Sequence, residues 1–276
     1  MYYIELDDLL RRSLAEDIGP GDITTQSCVP ATTMAKGRFV AKEPGALCGT
    51  DVVRRVFALL DSAIVVTPLM ADGATVVAGE SIAEIAGPAR GILQGERVAL
   101  NLLQRLSGIA TATAKAVAEV AGTGAKICDT RKTTPGLRVL EKYAVKVGGG
   151  HNHRFGLFDG AMIKDNHIVA AGGITKAVEE VRQNAPHTVQ IEVETTNLDQ
   201  VEEALAAGAD IIMLDNMDYT QMAEAVKLVA GRAKIEASGN MGARVLREVA
   251  RTGVDFISIG ALTHTVRALD ISLRLW

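Results

Sequence analysis

Cysteine is scarce: Cys28, Cys48 and Cys128 are the only three in 276 residues, far apart and in no CxxC pair. That excludes a disulfide framework and a zinc knuckle, and it suits a reducing compartment. Four tyrosines, five phenylalanines and one tryptophan are too few for a base-stacking platform. The 29 Lys and Arg are outnumbered by 33 Asp and Glu, so at −4 no global basic field attracts nucleic acid or an anionic membrane. No uninterrupted apolar stretch reaches the ~18 residues a spanning helix needs. The opening MYYIELDDLLRRSLAED has early acids and no apolar core, unlike a secretory signal. The expectation is a cytoplasmic protein with neither a nucleic-acid nor a membrane partner.

What is present is an ordinary globular composition, 48% hydrophobic and 22% charged, long enough to bury a sizeable core. Leu6, Leu9, Leu10 and Leu14 predict a helix that IGPGDITT ends at Gly19, Pro20 and Gly21. From Lys36 to Ile92 short β-like runs (GRFVAK, SAIVVTPL, ATVVAG, SIAEIAG) are cut by Pro and Gly, which predicts a small, mostly antiparallel unit. Gln94 to about Val120 reads as helix, with a break at Gly108. Six apolar runs then alternate with Ala/Glu-rich stretches: KICDT, GAMIKDN, VQIEVET, DIIMLDN, KIEASGN and DFISIGA. Such buried strands between helices argue for parallel βα units, with AVKVGG as a candidate seventh strand. AGADIIMLD from Ala207 and TGVDFISIG from Thr252 form a weak repeat 45 residues apart, two βα units. This supports a barrel or a wound sheet. The tail ALDISLRLW alternates, with Leu269, Ile271, Leu273 and Leu275 on one face, and is expected to fold back onto the N-terminal β unit.

In a βα barrel, chemistry sits where strands end. Those ends are Arg131-Lys132, Lys164-Asp165, Glu194, Asp215, Ser238-Gly239-Asn240 and Gly260. Between Thr130 and Lys164 seven basic residues face only Glu141 and Asp159, a local +5 in an acidic chain. A solvated helix face would account for Arg138, Glu141 and Lys142. It does not account for Arg131, Lys132, Arg154 and Lys164, at strand ends or in the loop GGGHNHRFG. Cations gathered at one mouth call for a polyanionic ligand. Glu194 and Asp215 would oppose them and suit a hydrated Mg²⁺ or sugar hydroxyls. Glu192 shares the Glu194 face but lies deeper, as an acid of the core or behind the site. The SGN and IGA turns could offer backbone N–H groups to a phosphate. His151 and His153 invite a metal reading, but no HExxH or related spacing completes a zinc site.

TRKTTPGLR (130–138), GGGHNHRFGLFDGAMIKDNH (148–167), IEVE, MLDN, EASGN and IGALTH, with EDIGPGDITT and GERVALNLLQRLSGIAT before them, closely resemble the quinolinate phosphoribosyltransferase family. The resemblance runs through nearly the whole chain in order. It implies an α/β protein: an N-terminal α/β sandwich over residues 1–108, joined by the strand at 268–276, and an incomplete, about seven-stranded α/β barrel over 109–267. It implies a type II phosphoribosyltransferase that turns quinolinate and phosphoribosyl pyrophosphate into nicotinate mononucleotide, pyrophosphate and CO₂, with Mg²⁺. By resemblance, Arg131, His153 and Arg154 hold the quinolinate carboxylates, with Arg97 joining from the neighbouring subunit of a homodimer, itself able to assemble further, and Thr130 is among the substrate-binding residues. Lys132 and Lys164 lie near the phosphates and the reacting ring, and Glu194 and Asp215 handle Mg²⁺, directly or through water, and the ribose hydroxyls. Ser238, Gly239 and Asn240, with Ile259, Gly260 and Ala261, cradle the 5′-phosphate. The alternatives are a relative acting on another pyridine acid and a Schiff-base barrel aldolase using Lys164. A carrier domain built on the β-rich Ala71–Gly91 segment is disfavoured, because ADGATVVAGE holds no lysine to modify.

Overall fold

Leu6, Leu10 and Leu14 are buried at four-residue intervals, one stripe of an amphipathic helix. In the computed structural model, which describes residues 3–276, this is α1 (Tyr3–Ile18). The short α2 (Ile23–Cys28) follows, its N-terminus capped by the Asp22 carboxylate accepting from the Thr25 N–H at 2.9 Å. Next come β1 (Met34–Ala41), β2 (Gly45–Ala46), α3 (Thr50–Leu60), β3 (Val65–Pro68), β4 (Thr75–Val76), β5 (Ser81–Pro88) and the long α4 (Ala89–Glu119). Strands and helices then alternate: β6 (Lys126–Cys128), α5 (Arg138–Val147), β7 (Ala161–Ile163), α6 (Asp165–Ala171), α7 (Ile174–Asn184), β8 (Ile191–Thr195) and α8 (Leu198–Ala206). They continue through β9 (Ile211–Asp215), α9 (Tyr219–Val229), β10 (Lys234–Ser238), α10 (Leu246–Arg251), β11 (Phe256–Ser258), α11 (Ala261–His264) and β12 (Ile271–Leu275).

The chain divides into two compact units, one of residues 1–114, 135–149 and 266–276, the other of residues 115–134 and 150–265. The first holds an antiparallel sheet in the order β12-β1-β5-β3 and a small β2-β4 ladder. The tail strand β12 pairs with β1, Ala41 opposite Ile271, as its alternation predicts. Phe39 and Phe57, both fully buried, centre this unit's core with their rings 6.3 Å apart.

The second unit is a parallel sheet of six strands, β6-β11-β10-β9-β8-β7, corresponding one for one to the six apolar runs. A single-residue bridge at His151 extends it beside Cys128: the His151 N–H donates to the Ile127 carbonyl at 2.8 Å, and the Asp129 N–H to the His151 carbonyl at 3.1 Å. This is the incomplete α/β barrel, six full strands with a seventh rung one residue long.

Three local expectations need correcting. AVKVGG is the end of α5 and the turn after it, because Leu140 and Ala144, and Glu141 and Val145, are buried in pairs four residues apart, one helical turn. Gly108 does not break α4. The helix runs straight through, and a Cβ there would lie 2.3 Å from the Arg267 carbonyl oxygen, so glycine serves close packing of the returning tail. The α5 face is not solvated: Glu141 is fully buried and Lys142 nearly so. Arg105 pairs with Glu141 at 2.7 Å, which supplies the compensation a buried carboxylate needs.

Candidate active site

The two-residue period of the parallel strands builds the site in two layers. At the strand ends Lys164, Glu194, Asp215, Ser238 and Gly260 form a rim around one cavity of about 770 Å³. Two residues earlier on four of the same runs, Met162, Met213, Glu236 and Ser258 line its floor. The volume suits drug-sized ligands. Every lining residue belongs to the second unit.

Cations enter from two loops. After β6, Thr130, Arg131 and Lys132 line the cavity, and Arg131 and Lys132 are exposed to solvent. His153 and Arg154 come from the loop before β7, which Asp129, itself fully buried, anchors. The Asp129 carboxylate accepts from the Asn152 side-chain amide at 2.6 Å and from the His153 N–H at 2.9 Å. Asp159 caps the far end of the loop by accepting from the Phe155 and Gly156 N–H groups at 2.6 and 2.8 Å. Arg154 donates to the Gly160 carbonyl at 3.0 Å. Burial, and then the nearby Arg131 guanidinium, push the Arg154 side chain below its ordinary value. A guanidinium so placed beside a second one suits an anionic ligand.

Lys164 ion-pairs with Glu194, and the Asp215 carboxylate accepts from Asn216 at 2.8 Å. Beyond β10 the backbone is shaped for close approach. Gly239 sits at φ +92°, between Asn216 and Asn240, which are themselves in the left-handed region. A Cβ on Gly239 would lie 2.3 Å from the Asn216 side-chain oxygen and 2.7 Å from its backbone nitrogen. At Gly260 a Cβ would press on the Lys132 side chain at 2.9 Å, so this glycine leaves room for that lysine. The Thr263 hydroxyl ties α11 back to the same segment by donating to the Lys132 carbonyl at 2.9 Å.

The floor carries buried ionisable chemistry. His153 Nε2 lies 2.9 Å from Glu192 Oε2 and 3.5 Å from Glu236 Oε1. Glu236 also accepts from the Ser258 hydroxyl. Burial, then the Glu192 charge, raise the Glu236 carboxyl to about 7, against smaller opposing pulls that include the Ser258 hydroxyl and the Lys164 ammonium. The three donors lie within 4.8 Å of one another, close enough to share a metal ion. Proton bookkeeping argues otherwise. His153 Nδ1 accepts the Arg154 N–H at 2.7 Å, so the ring proton sits on Nε2, where a metal would need a lone pair. Binding there would demand an imidazolate.

Of the residues singled out from sequence, the cavity brings together Thr130, Arg131, Lys132, His153, Arg154 and Lys164. It adds Glu194, Asp215, Ser238, Gly239, Asn240, Gly260 and Ala261. Ile259 is buried beside it, its N–H donating to the Cys128 carbonyl at 2.9 Å. Arg97 is exposed on α4 and belongs to the first unit, not to the cavity wall. Sequence reasoning placed Glu192 behind the site but missed Glu236, Ser258 and His264. For the first two the signal was available: each stands two residues before a rim position, on the same face of its strand.

The family models agree with this architecture. Residues 22–107 match the quinolinate phosphoribosyl transferase N-terminal domain, and residues 109–274 its C-terminal domain. The chain is 50% identical over 273 residues to a Bacillus subtilis (strain 168) protein named "Probable nicotinate-nucleotide pyrophosphorylase (carboxylating)", covering 99% of this chain and 94% of that one. It is 46% identical over 277 residues to the nicotinate-nucleotide pyrophosphorylase (carboxylating) of Mycobacterium leprae, covering 97% and 96%. The solved nicotinate-nucleotide pyrophosphorylase of Francisella tularensis superposes with a TM-score of 0.96 at 43% identity, covering 100% of this chain and 98% of that one. With both family domains matched in order and the cation-rimmed cavity inside the second of them, the chain belongs to the quinolinate phosphoribosyltransferase family.

Proposed function

We propose that the protein transfers the phosphoribosyl group of phosphoribosyl pyrophosphate to the ring nitrogen of quinolinate, releasing pyrophosphate and CO₂ and leaving nicotinate mononucleotide for NAD biosynthesis. The observation that carries this reading is the convergence of Arg131, Lys132, Arg154 and Lys164 on one cavity that Glu194 and Asp215 also line. Quinolinate presents two carboxylates, and a planar guanidinium grips a carboxylate through two parallel hydrogen bonds. Arg131 and Arg154 take that role, with Thr130 and His153 completing the pocket. Lys132 and Lys164 neutralise phosphate oxygens as point charges. Ser238 to Asn240 and Ile259 to Ala261 border the 5′-phosphate, where glycine lets backbone N–H groups come close.

The chemistry needs positioning and charge more than a protein nucleophile. As the bond from the anomeric carbon to pyrophosphate breaks, positive charge grows on the sugar, and the quinolinate nitrogen supplies the electron pair of the new bond. The carbon–carboxylate bond at the 2-position then breaks. Its electron pair stays on the ring carbon beside the positive nitrogen until a proton replaces the lost CO₂.

Glu194 and Asp215 offer the hard oxygen donors that Mg²⁺ prefers. One oxygen of each is engaged, by Lys164 and by Asn216, which leaves the other for a sugar hydroxyl or a hydrated cation. Bound Mg²⁺ would offset charge on the departing pyrophosphate. A Schiff-base role for Lys164 is disfavoured, because its ammonium is paired with Glu194 rather than set in an apolar pocket. We further infer a homodimer in which the exposed Arg97 serves the site of a second copy. A cytoplasmic location suits its free thiols, Cys28, Cys48 and Cys128. Among the described residues no helix is long and apolar enough to cross a membrane.

The test is turnover with quinolinate, phosphoribosyl pyrophosphate and Mg²⁺, using nicotinic acid as the control acceptor. One CO₂ per pyrophosphate from quinolinate is expected, with little reaction from nicotinic acid. Preference for nicotinic acid would overturn the assignment.

A further inference from the structure

We propose that Glu192 and Glu236 are positioning residues: they hold His153 as its Nε2–H tautomer, so that Nδ1 fixes the backbone of Arg154 and aims that guanidinium at the bound acid. The inference rests on the proposed quinolinate site and deepens it. Both ring nitrogens of His153 are engaged: Nε2–H donates to Glu192 Oε2 at 2.9 Å, and Nδ1 accepts the Arg154 N–H at 2.7 Å. A histidine used at both nitrogens is a strut between the barrel floor and the loop. The strut is loaded from both sides. Below, Glu236 lies 3.5 Å from the same Nε2 and is itself held by the Ser258 hydroxyl. Above, Asp129 accepts the His153 N–H at 2.9 Å, and Arg154 donates to the Gly160 carbonyl at 3.0 Å. The histidine cannot turn without releasing a buried carboxylate, and Arg154 cannot shift without releasing the histidine.

The acids also shape the charge beneath the substrate. Glu192 and Glu236 are only 4% and 3% exposed, and Glu192 Oε1 has no hydrogen-bond partner. Two full negative charges there would repel a dicarboxylate overhead and each other. Burial and the Glu192 charge raise the Glu236 carboxyl to about 7, which lessens the negative charge beneath the substrate near neutral pH.

The test is nitrogen-15 NMR of histidine-labelled, full-length protein without substrates, together with steady-state kinetics. Wild type is expected to show His153, assigned by the loss of its signal in His153→Gln, with a protonated Nε2 and a lone pair on Nδ1. In Glu192→Ala that signature should give way to mixed tautomers. The KM for quinolinate should then rise about tenfold, with the KM for phosphoribosyl pyrophosphate unchanged. Glu192→Gln keeps an acceptor oxygen and should restore both. The proposal is overturned by a wild-type His153 that carries its proton on Nδ1 or on both nitrogens, or by a Glu192→Ala enzyme in which both KM values rise together. The wild-type spectrum decides the tautomer even where Glu192→Ala fails to fold. The expected tautomer in a protein that does not turn over quinolinate would instead remove the functional reading beneath it.

Discussion

Replacing Glu236 by Gln removes a buried titrating group while preserving its shape and an acceptor for Ser258. The carboxyl stands at about 7 in the fold against 4.5 ordinarily. At 1.36 kcal/mol for each tenfold change, ionising Glu236 is costlier in the folded than in the unfolded chain by about 3 kcal/mol. Below pH 4.5 both states hold the proton, and the stability it contributes is fully present. As the pH climbs to about 7 the unfolded chain ionises freely and the folded one resists, so that stability is lost. Glutamine stays neutral throughout. The stability of Glu236→Gln relative to wild type should therefore rise by about 3 kcal/mol between pH 4.5 and pH 8. Urea denaturation of both substrate-free proteins at several pH values measures the difference directly. A gap that does not change with pH would refute the reasoning, because Glu236 would then titrate alike in both states.

Arg131→Ala should lower kcat/KM for quinolinate by roughly 2–4 kcal/mol of transition-state binding, as expected for a lost carboxylate clamp, and unchanged kinetics would remove Arg131 from the site. Gly239→Ala must fit a Cβ 2.3 Å from Asn216 at φ +92°. A loss of about 2–4 kcal/mol in stability is expected in chemical denaturation, with a raised KM for phosphoribosyl pyrophosphate. Mixing inactive Arg97→Ala and Arg131→Ala proteins should recover part of the activity if Arg97 serves a second copy. No recovery after verified subunit exchange would count against a shared site.

The strands and the rim were legible because both rest on local rules. Each of the six runs between helical stretches read as a buried strand, and the residue ending it falls at the strand-end side of a parallel sheet. The tail strand showed itself by alternation, as Ile271 opposite Ala41 bears out. What escaped depended on partners distant in sequence. AVKVGG has the composition of a strand, and only the burial of Leu140 with Ala144 and of Glu141 with Val145, each one turn apart on α5, decides for helix. Glu141 and Lys142 look like solvent-facing charges until Arg105 on another helix meets Glu141. Gly108 reads as a break because nothing local reveals the chain passing 2.3 Å from its missing Cβ. The acid floor was half legible: Glu192 follows from Glu194 by strand period, but His153 as its partner comes from a loop nearly forty residues earlier.

The central claim is that one cavity in the second unit grips a dicarboxylate through converging guanidiniums. A crystal structure of the protein with quinolinate bound tests it most directly. The predicted result is quinolinate inside the cavity, its carboxylates on Arg131 and Arg154 and its ring nitrogen turned toward the Glu194 and Asp215 side. Quinolinate bound elsewhere, or those arginines turned out to solvent with the acid in place, would contradict it.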